Sequence, residues 1–459
     1  MKFLVEHDTL ADAVAWVARA LPSRPVVPVL SGLRLDAGEG LTLSCFDYEL
    51  AATTRLPADV AEPGSALVPG RLLAEIVRSL PGQPAEFCSA GDEVTLTCGT
   101  AEFALVSLPT EEYPALPPAP PLAGTIDGGD LAAAVAQVLP AASRDDTLPM
   151  LTAVCLDIRG DVLTLAATDR YRLAVRDLRW APASPGIRAI ALVPGRTLAD
   201  AARVMVPGVP VSLSFAVPAE DGGTAGRGDP RPVEGMISFD SGGRRLTGRL
   251  IAGEFIRYES RFPAEYGCRA EMPAASLIEA VRRVSLVADR ATPVRLTFGS
   301  GAVAIEAQTE GRARAIEKVV ASFHGNEPVI AFNPHYLLDG ITAAAAGGEA
   351  AGDETAGGAR DGAAEEGTAG ATPSGSAAIR LEFTSPARPA LITRAGDAVD
   401  AGTADAGTAD AGTGDAETGD AETGDAETGD AETAEGPRGQ ARRPAFRYLV
   451  VPLRPPARG

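Results

Sequence analysis

One unit recurs three times along this chain, and a threefold internal repeat constrains the architecture more than any isolated motif could. Each copy opens with a helix signal: Thr9-Leu10, Asp130-Leu131 and Ser276-Leu277 place an N-capping oxygen before the first apolar residue. Leucine is then followed by valine four and seven positions later, as Leu10/Val14/Val17, Leu131/Val135/Val138 and Leu277/Val281/Val284. That spacing predicts one buried helical face. Next comes a stretch of alternating polarity, starting at Leu41, Leu163 and Val303, and period two predicts strands. A second helix should then begin at a proline, in VPGRLLAEIVRSL from Val68, VPGRTLADAARVM from Val193 and FNPHYLLDGITAA from Phe332. From first-helix leucine to second-helix proline the distance is 59, 63 and 57 residues. The reading is an α+β chain: three tandem domains, each with two helices and antiparallel strands.

The domains are expected at 1–124, 125–262 and 263–459, joined by the Pro-rich linkers LPTEEYPALPPAPP and RFPAEYGCRAEMP. Copies two and three start 146 residues apart against 121 for the first pair, and a Gly/Pro-rich insertion at about 218–234 accounts for much of the excess. Domain 3 carries two low-complexity insertions, at about 343–378 and 396–441. The second holds seven pentamers from AGTAD at 401–405 to AETAE at 431–435. Small residues with regular acids cannot bury enough apolar surface to offset ordering, so both are expected to be disordered. Residues 343–378 carry a net charge of −5 and residues 396–436 one of −13, out of the formal charge of −20. The remainder is nearly neutral, so the acidic total does not exclude a nucleic-acid partner.

Several chemistries are excluded. Only Lys2 and Lys318 are lysines and neither lies in a Gly-Lys-Ser/Thr sequence, so no Walker-type phosphate loop can be written. His7, His324 and His335 are isolated, and no nucleophile elbow, zinc-binding H-E-x-x-H or dinucleotide fingerprint occurs. Five scattered cysteines without C-x-x-C spacing suggest reduced, mostly buried thiols, and no metal or cofactor is expected. The repeated Asp residues fit neither an EF-hand loop nor a glycine-rich β-roll. Arg227-Gly228-Asp229 spells an adhesion tripeptide within an insertion, and we assign it no role. No apolar run is long enough to span a bilayer, and the start, MKFLVEHDTL, carries acids where a secretory signal needs an apolar stretch, so a cytoplasmic location is expected. Arg71 and Arg196 occupy the same early position in the second helices of copies one and two. Arginine there opposes the helix macrodipole, which invites a functional explanation beside the simpler one of surface salt bridges.

The segment Ala167-Thr168-Asp169-Arg170-Tyr171-Arg172-Leu173-Ala174-Val175 carries a resemblance together with Met1-Lys2-Phe3, Arg24-Pro25-Val26-Val27-Pro28, both VPGR segments and Tyr448-Leu449-Val450-Val451-Pro452-Leu453-Arg454. In order and spacing these resemble the bacterial β sliding clamps, the β subunits of DNA polymerase III. Arginine in place of lysine and the segment SRDDTLPML make the chain similar to actinobacterial members. The resemblance covers residues 1–343, 378–395 and 446–454. It implies a head-to-tail homodimeric ring around double-stranded DNA, helices lining the hole and sheets forming the outer wall. Such a ring tethers the polymerase III catalytic subunit and serves the clamp loader, repair polymerases, mismatch-repair proteins and ligase; it is not an enzyme. By correspondence, Arg24, Arg71, Arg144 and Arg196 face DNA, and Phe103, Leu105 and Leu286 lie at the dimer interface. A pocket for short peptides falls on Leu151, Thr168, Tyr171, Arg172, Leu173, Pro263, Tyr336, Pro389, Val450, Val451, Pro452, Leu453 and Arg454. Without the resemblance, the same residues read as strand and terminal core. The chain departs from the family pattern at Arg170, where glycine is common, at Tyr171, where histidine is frequent, and over 264–269. An accessory copy of the clamp and a structural repeat protein without a DNA role remain as alternatives.

Overall fold

A computed structural model describes residues 1–217, 231–289, 292–309, 311–326, 328–346, 377–396 and 445–453. The expectations for the insertions at about 218–234, 343–378 and 396–441 fall largely outside these residues, as do that for the RGD tripeptide and the placement of Arg454.

Seven helices are present among the described residues: α1 (His7–Arg19), α2 (Gly70–Ser79), α3 (Gly128–Val138), the single turn α4 (Pro149–Thr152), α5 (Gly195–Ala202), α6 (Ala274–Val284) and α7 (Pro334–Ala345). All nine residues of the repeated Leu/Val/Val pattern are buried, as the 3.6-residue period requires. The helices begin earlier than the polar residues Thr9, Asp130 and Ser276 suggest. Strands Lys2–Val5, Leu122–Asp127 and Cys268–Pro273 run straight into α1, α3 and α6, so Glu6, Asp127 and Pro273 become the N-caps. Only Asp127 caps with its side chain, accepting from the Asp130 N–H at 3.1 Å. The expected caps therefore lie inside the first turn. Pro69 and Pro194 are themselves N-caps rather than first helical residues, whereas Pro334 opens α7 behind Asn333. Glycine follows the first two prolines because nothing larger fits. A Cβ on Gly70 would lie 2.5 Å from Leu21 Cδ1, and one on Gly195 would lie 2.9 Å from the Thr152 carbonyl.

Each domain contributes two half-sheets, antiparallel throughout except where the short edge strand Arg231–Pro232 pairs parallel with Arg188–Pro194. The first half-sheet ends at Ala101–Val106 in domain 1, Arg244–Arg249 in domain 2 and Phe446–Val450 in domain 3. The second ends at Leu50–Leu56, Arg172–Arg179 and Ala313–Val320. Two of these edges join inside the chain. Leu50–Leu56 pairs with Arg244–Arg249 to give a nine-stranded sheet, and Arg172–Arg179 pairs with Phe446–Val450 to give a ten-stranded one. Ala101–Val106 and Ala313–Val320 are left as the outer strands of five- and four-stranded sheets.

The helices pack on one face of these sheets, and a single apolar cluster runs beneath them through all three domains. A smaller cluster on the opposite face (Ala153, Cys155, Ala166, Leu173, Val175, Leu192, Tyr258, Leu391 and Leu449) lies at the joint between domains 2 and 3. Among the described residues no helix is long and apolar enough to cross a membrane.

Candidate functional site

The joint between domains 2 and 3 is built on one hairpin, Val162–Thr168 and Arg172–Arg179. Its turn is fixed by Asp169, whose Oδ1 accepts the backbone N–H groups of Tyr171 and Arg172, each at 3.0 Å. Arg170 is thereby held at φ 80°, the left-handed region that glycine enters freely and other residues enter at roughly 1–2 kcal/mol. This explains in backbone terms why glycine suits the position. Thr168 completes the turn: its hydroxyl donates to the Arg172 carbonyl at 2.7 Å and accepts from the Arg170 N–H at 3.1 Å.

Beside this turn a cavity of about 370 Å³ opens on the sheet face turned away from the helices. Of the thirteen residues assigned to a pocket from the sequence, seven line it: Leu151, Thr168, Tyr171, Arg172, Leu173, Pro389 and Val451. Arg170, Ile256, Arg261 and Leu449 line it as well, and were not assigned. Val450 does not: it is wholly buried in the helix-side core, because successive strand residues face opposite ways, and its neighbours Leu449 and Val451 face the cavity instead. Strand alternation applied to YLVVP would have found Leu449. Nothing local marked Ile256 and Arg261, which arrive from the linker into domain 3. Pro452 is buried, Leu453 is exposed and donates its backbone N–H to the Ala331 carbonyl at 2.8 Å, and Pro263 is half-buried. Tyr336 stands beside the cavity, its ring stacked on Tyr171 with centroids 6.2 Å apart. Asn333 fixes its place by capping α7 through the His335 and Tyr336 N–H groups.

Arg172 ties the joint together. Its Nε donates to Asp169 at 2.9 Å, its Nη1 to Asp339 at 2.5 Å, and its guanidinium lies 4.4 Å from the Tyr336 ring centroid. Burial opposes its charge, but Tyr448, Asp339 and Asp169 more than compensate, and its pKa is raised. Burial pushes the Tyr448 phenol up, so it stays neutral and donates to the Tyr336 carbonyl at 2.9 Å. Arg447, nearly buried, pairs with Asp177 across the same joint and lies over Phe262.

The four arginines assigned to DNA are all exposed. Arg71 and Arg196 are each the second residue of their helices, α2 and α5, and Arg71 donates to the Pro22 carbonyl in the loop that carries Arg24. Arg144 and Arg196 line one cavity of about 790 Å³ with Leu139, Pro140 and Ala199. In domain 3 the corresponding helix position is His335, also exposed. At the free edges Leu286 is 84% exposed and Phe103 half-buried, but Leu105 points into the core of domain 1. Val106, 70% exposed, is the apolar residue that this edge offers to solvent.

Three family descriptions match in chain order. The DNA polymerase III beta subunit N-terminal domain matches residues 1–117, its central domain 125–256 and its C-terminal domain 259–347. The chain belongs to the bacterial β sliding clamps. It is 49% identical over 344 residues to the beta sliding clamp of Streptomyces coelicolor, covering 75% of this chain and 88% of that one. It is 45% identical to the Micrococcus luteus clamp, covering 70% and 98%. The match to the beta sliding clamp homolog GriR of Streptomyces muensis is 40%, covering 74% and 88%. Among solved structures, the Bacillus subtilis DNA polymerase sliding clamp superposes with a TM-score of 0.75 at 22% identity, covering 99% of each chain. Family and fold agree, and the similarity is of actinobacterial type. The function is that of a DNA sliding clamp, a class of non-catalytic processivity factors.

Proposed function

We propose that two copies of this chain close head to tail into a ring around duplex DNA, and that the ring tethers the polymerase III catalytic subunit in the cytoplasm. One observation carries the ring. The same pair of sheet edges is joined at both internal joints, and the third pair, Ala313–Val320 and Ala101–Val106, is left open at the two ends of the molecule. Unpaired edges with exposed apolar residues are a liability unless covered, and a second copy covers both at once. Val106 and Val320, 70% and 74% exposed, are the residues that such closure would bury. Leu286, in the turn after α6, belongs to the same end of domain 3 as that second edge. Arg24, Arg71, Arg144 and Arg196, with the helices that carry them, would then face the hole. Topology holds the DNA, so weak contacts suffice and leave the ring free to slide. Light scattering at micromolar concentration should give twice the 46.9 kDa chain mass, and a strictly monomeric particle would sink the ring.

The groove at the second joint is the docking place for short Leu/Phe-containing peptides of the polymerase, clamp loader, repair polymerases, mismatch-repair proteins and ligase. An apolar floor of Leu151, Leu173, Leu449 and Val451 with polar groups at its mouth is what such a peptide requires. Two buried anchors supply roughly 3–6 kcal/mol before ordering costs, consistent with micromolar binding. Leu173→Asp should abolish both peptide binding in a fluorescence-polarisation titration and loader-dependent stimulation of the polymerase, with dimer mass retained. Parent-like peptide affinity in that variant would remove the groove from the reading.

A further inference from the structure

Building on the ring reading, we infer that the joint between the two copies is keyed by an ion pair between Glu102 of one copy and Lys318 of the other. The two internal joints fix the register in which the open edges meet. Thr54 lies opposite Arg244 at the first joint, and Arg176 opposite Phe446 at the second. Ala101 is the counterpart of Arg244, because each opens its strand after a two-residue turn whose first glycine, Gly99 or Gly242, is at φ 59°. Glu317 is the counterpart of Thr54 and Arg176. It pairs with Ile305 as Thr54 pairs with Leu43 and Arg176 with Leu165, each partner lying in the helix-side core. Ala101 therefore meets Glu317, and counting along antiparallel strands sets Phe103 opposite Ala315 and Glu102 opposite Ile316. Packing supports this register. Leu246 faces Ala52 at the first joint and Tyr448 faces Ala174 at the second, so a large apolar residue against alanine recurs at the third.

On the opposite face of these strands, the second joint supplies the precedent. There Arg447 lies opposite Val175 and pairs at 2.9 Å with Asp177, two residues further along the facing strand. The counterparts of Arg447 and Asp177 at the third joint are Glu102 and Lys318, so the same geometry recurs with the charges exchanged. Both are exposed, and among the described residues neither takes part in an ion pair. Glu306, the carboxylate diagonal to Lys318 across its own hairpin, is held by Arg314 at 2.7 Å. The first joint has no such pair: its counterparts are Arg55 and Arg245, and Arg245 pairs with Asp240 at 2.8 Å instead. Exchanging the signs lets each edge discriminate. If the Ala101–Val106 edge took the place of Phe446–Val450, Glu102 would face Asp177, and in the converse mispairing Arg447 would face Lys318. Like charges oppose both wrong pairings.

The test measures dimer dissociation of the full chain by analytical ultracentrifugation at low salt. An exposed pair changes affinity by about 1.5- to fivefold, reversing one sign adds a like-charge repulsion of similar size, and each ring has two such joints. Glu102→Lys and Lys318→Glu should therefore each weaken the dimer by at least about fivefold, and by less at high salt. An equimolar mixture of the two variants should recover parent-like affinity, because both joints of a mixed ring then carry opposite charges. A chain with both substitutions should recover it as well. Parent-like dimers in both single variants, or a loss that neither mixing nor the double substitution repairs, would overturn the ion pair and leave the ring standing. A parent chain that stays monomeric at micromolar concentration would overturn the ring reading and the pair together.

Discussion

The two joints inside this chain are made alike and finished differently. Both begin with a hairpin whose turn is set by an aspartate, Asp47 in domain 1 and Asp169 in domain 2, each accepting two backbone N–H groups. Both turns force a residue other than glycine to positive φ, Tyr48 at 74° and Arg170 at 80°. In both, the hairpin's second strand pairs antiparallel with the end strand of the next domain. The difference is side-chain volume. Phe46 pairs with Ala51 where Thr168 pairs with Leu173. Phe46 is buried, its ring 5.6 Å from that of Tyr48, and its backbone N–H donates to the Tyr113 hydroxyl at 2.7 Å, so the linker out of domain 1 is tied to this turn. At the second joint a small threonine spends its hydroxyl on its own turn, and the space above it is the 370 Å³ cavity. A repeated scaffold thus carries a buried phenylalanine at one joint and a threonine beside a cavity at the other.

The sharpest way to break this comparison is to import the domain 1 residue. Thr168→Phe should fill the groove and weaken peptide binding by at least about thirtyfold, roughly 2 kcal/mol, while dimer mass stays the same. Undiminished binding by titration calorimetry would show that residue volume at 168 does not keep the groove open. A smaller effect is expected from Asp339→Asn, which removes one of the two carboxylates holding Arg172. The Arg172 side chain should lose some of its order, and peptide affinity should fall by about three- to tenfold, or 0.7–1.4 kcal/mol, with kinetics showing a faster off-rate. At the filled joint, Tyr113→Phe leaves the buried Phe46 N–H without its partner. That should cost about 1 kcal/mol in denaturant unfolding and leave peptide affinity untouched. The smallest effect concerns the strained turns: Tyr48→Gly should raise stability by about 0.5 kcal/mol, the relief at φ 74° being partly cancelled by the freer unfolded chain. A measurable loss of stability instead would mean that the Tyr48 ring contributes more to the filled joint than its conformation costs.

Much of this architecture was legible in the residues. The Leu/Val/Val faces of three helices, the alternating hairpins and the spacing between them follow from local periodicity, which depends only on where neighbouring Cβ atoms point. Local signals misplaced the helix starts, because the strands entering α1, α3 and α6 carry the chain into the first turn before the expected caps. The groove was legible in part. Its strand residues could be named from the TDRYRL and YLVVP segments, but Val450 was assigned to the wrong face, and Ile256 and Arg261 had no local mark.

The order of residues alone located most of the net charge in two low-complexity stretches, excluded a Walker-type loop and revealed the repeat, since these properties survive without any coordinates. The tertiary structure decided which sheet edges meet and which remain open. It also decided that Leu105 belongs to the core and Val106 to the surface, and that Arg172 is balanced by Asp169 and Asp339. Pairing of edges and balancing of charges depend on groups far apart in sequence, such as Arg172 and Asp339, brought within hydrogen-bonding distance only when the half-sheets of two domains join.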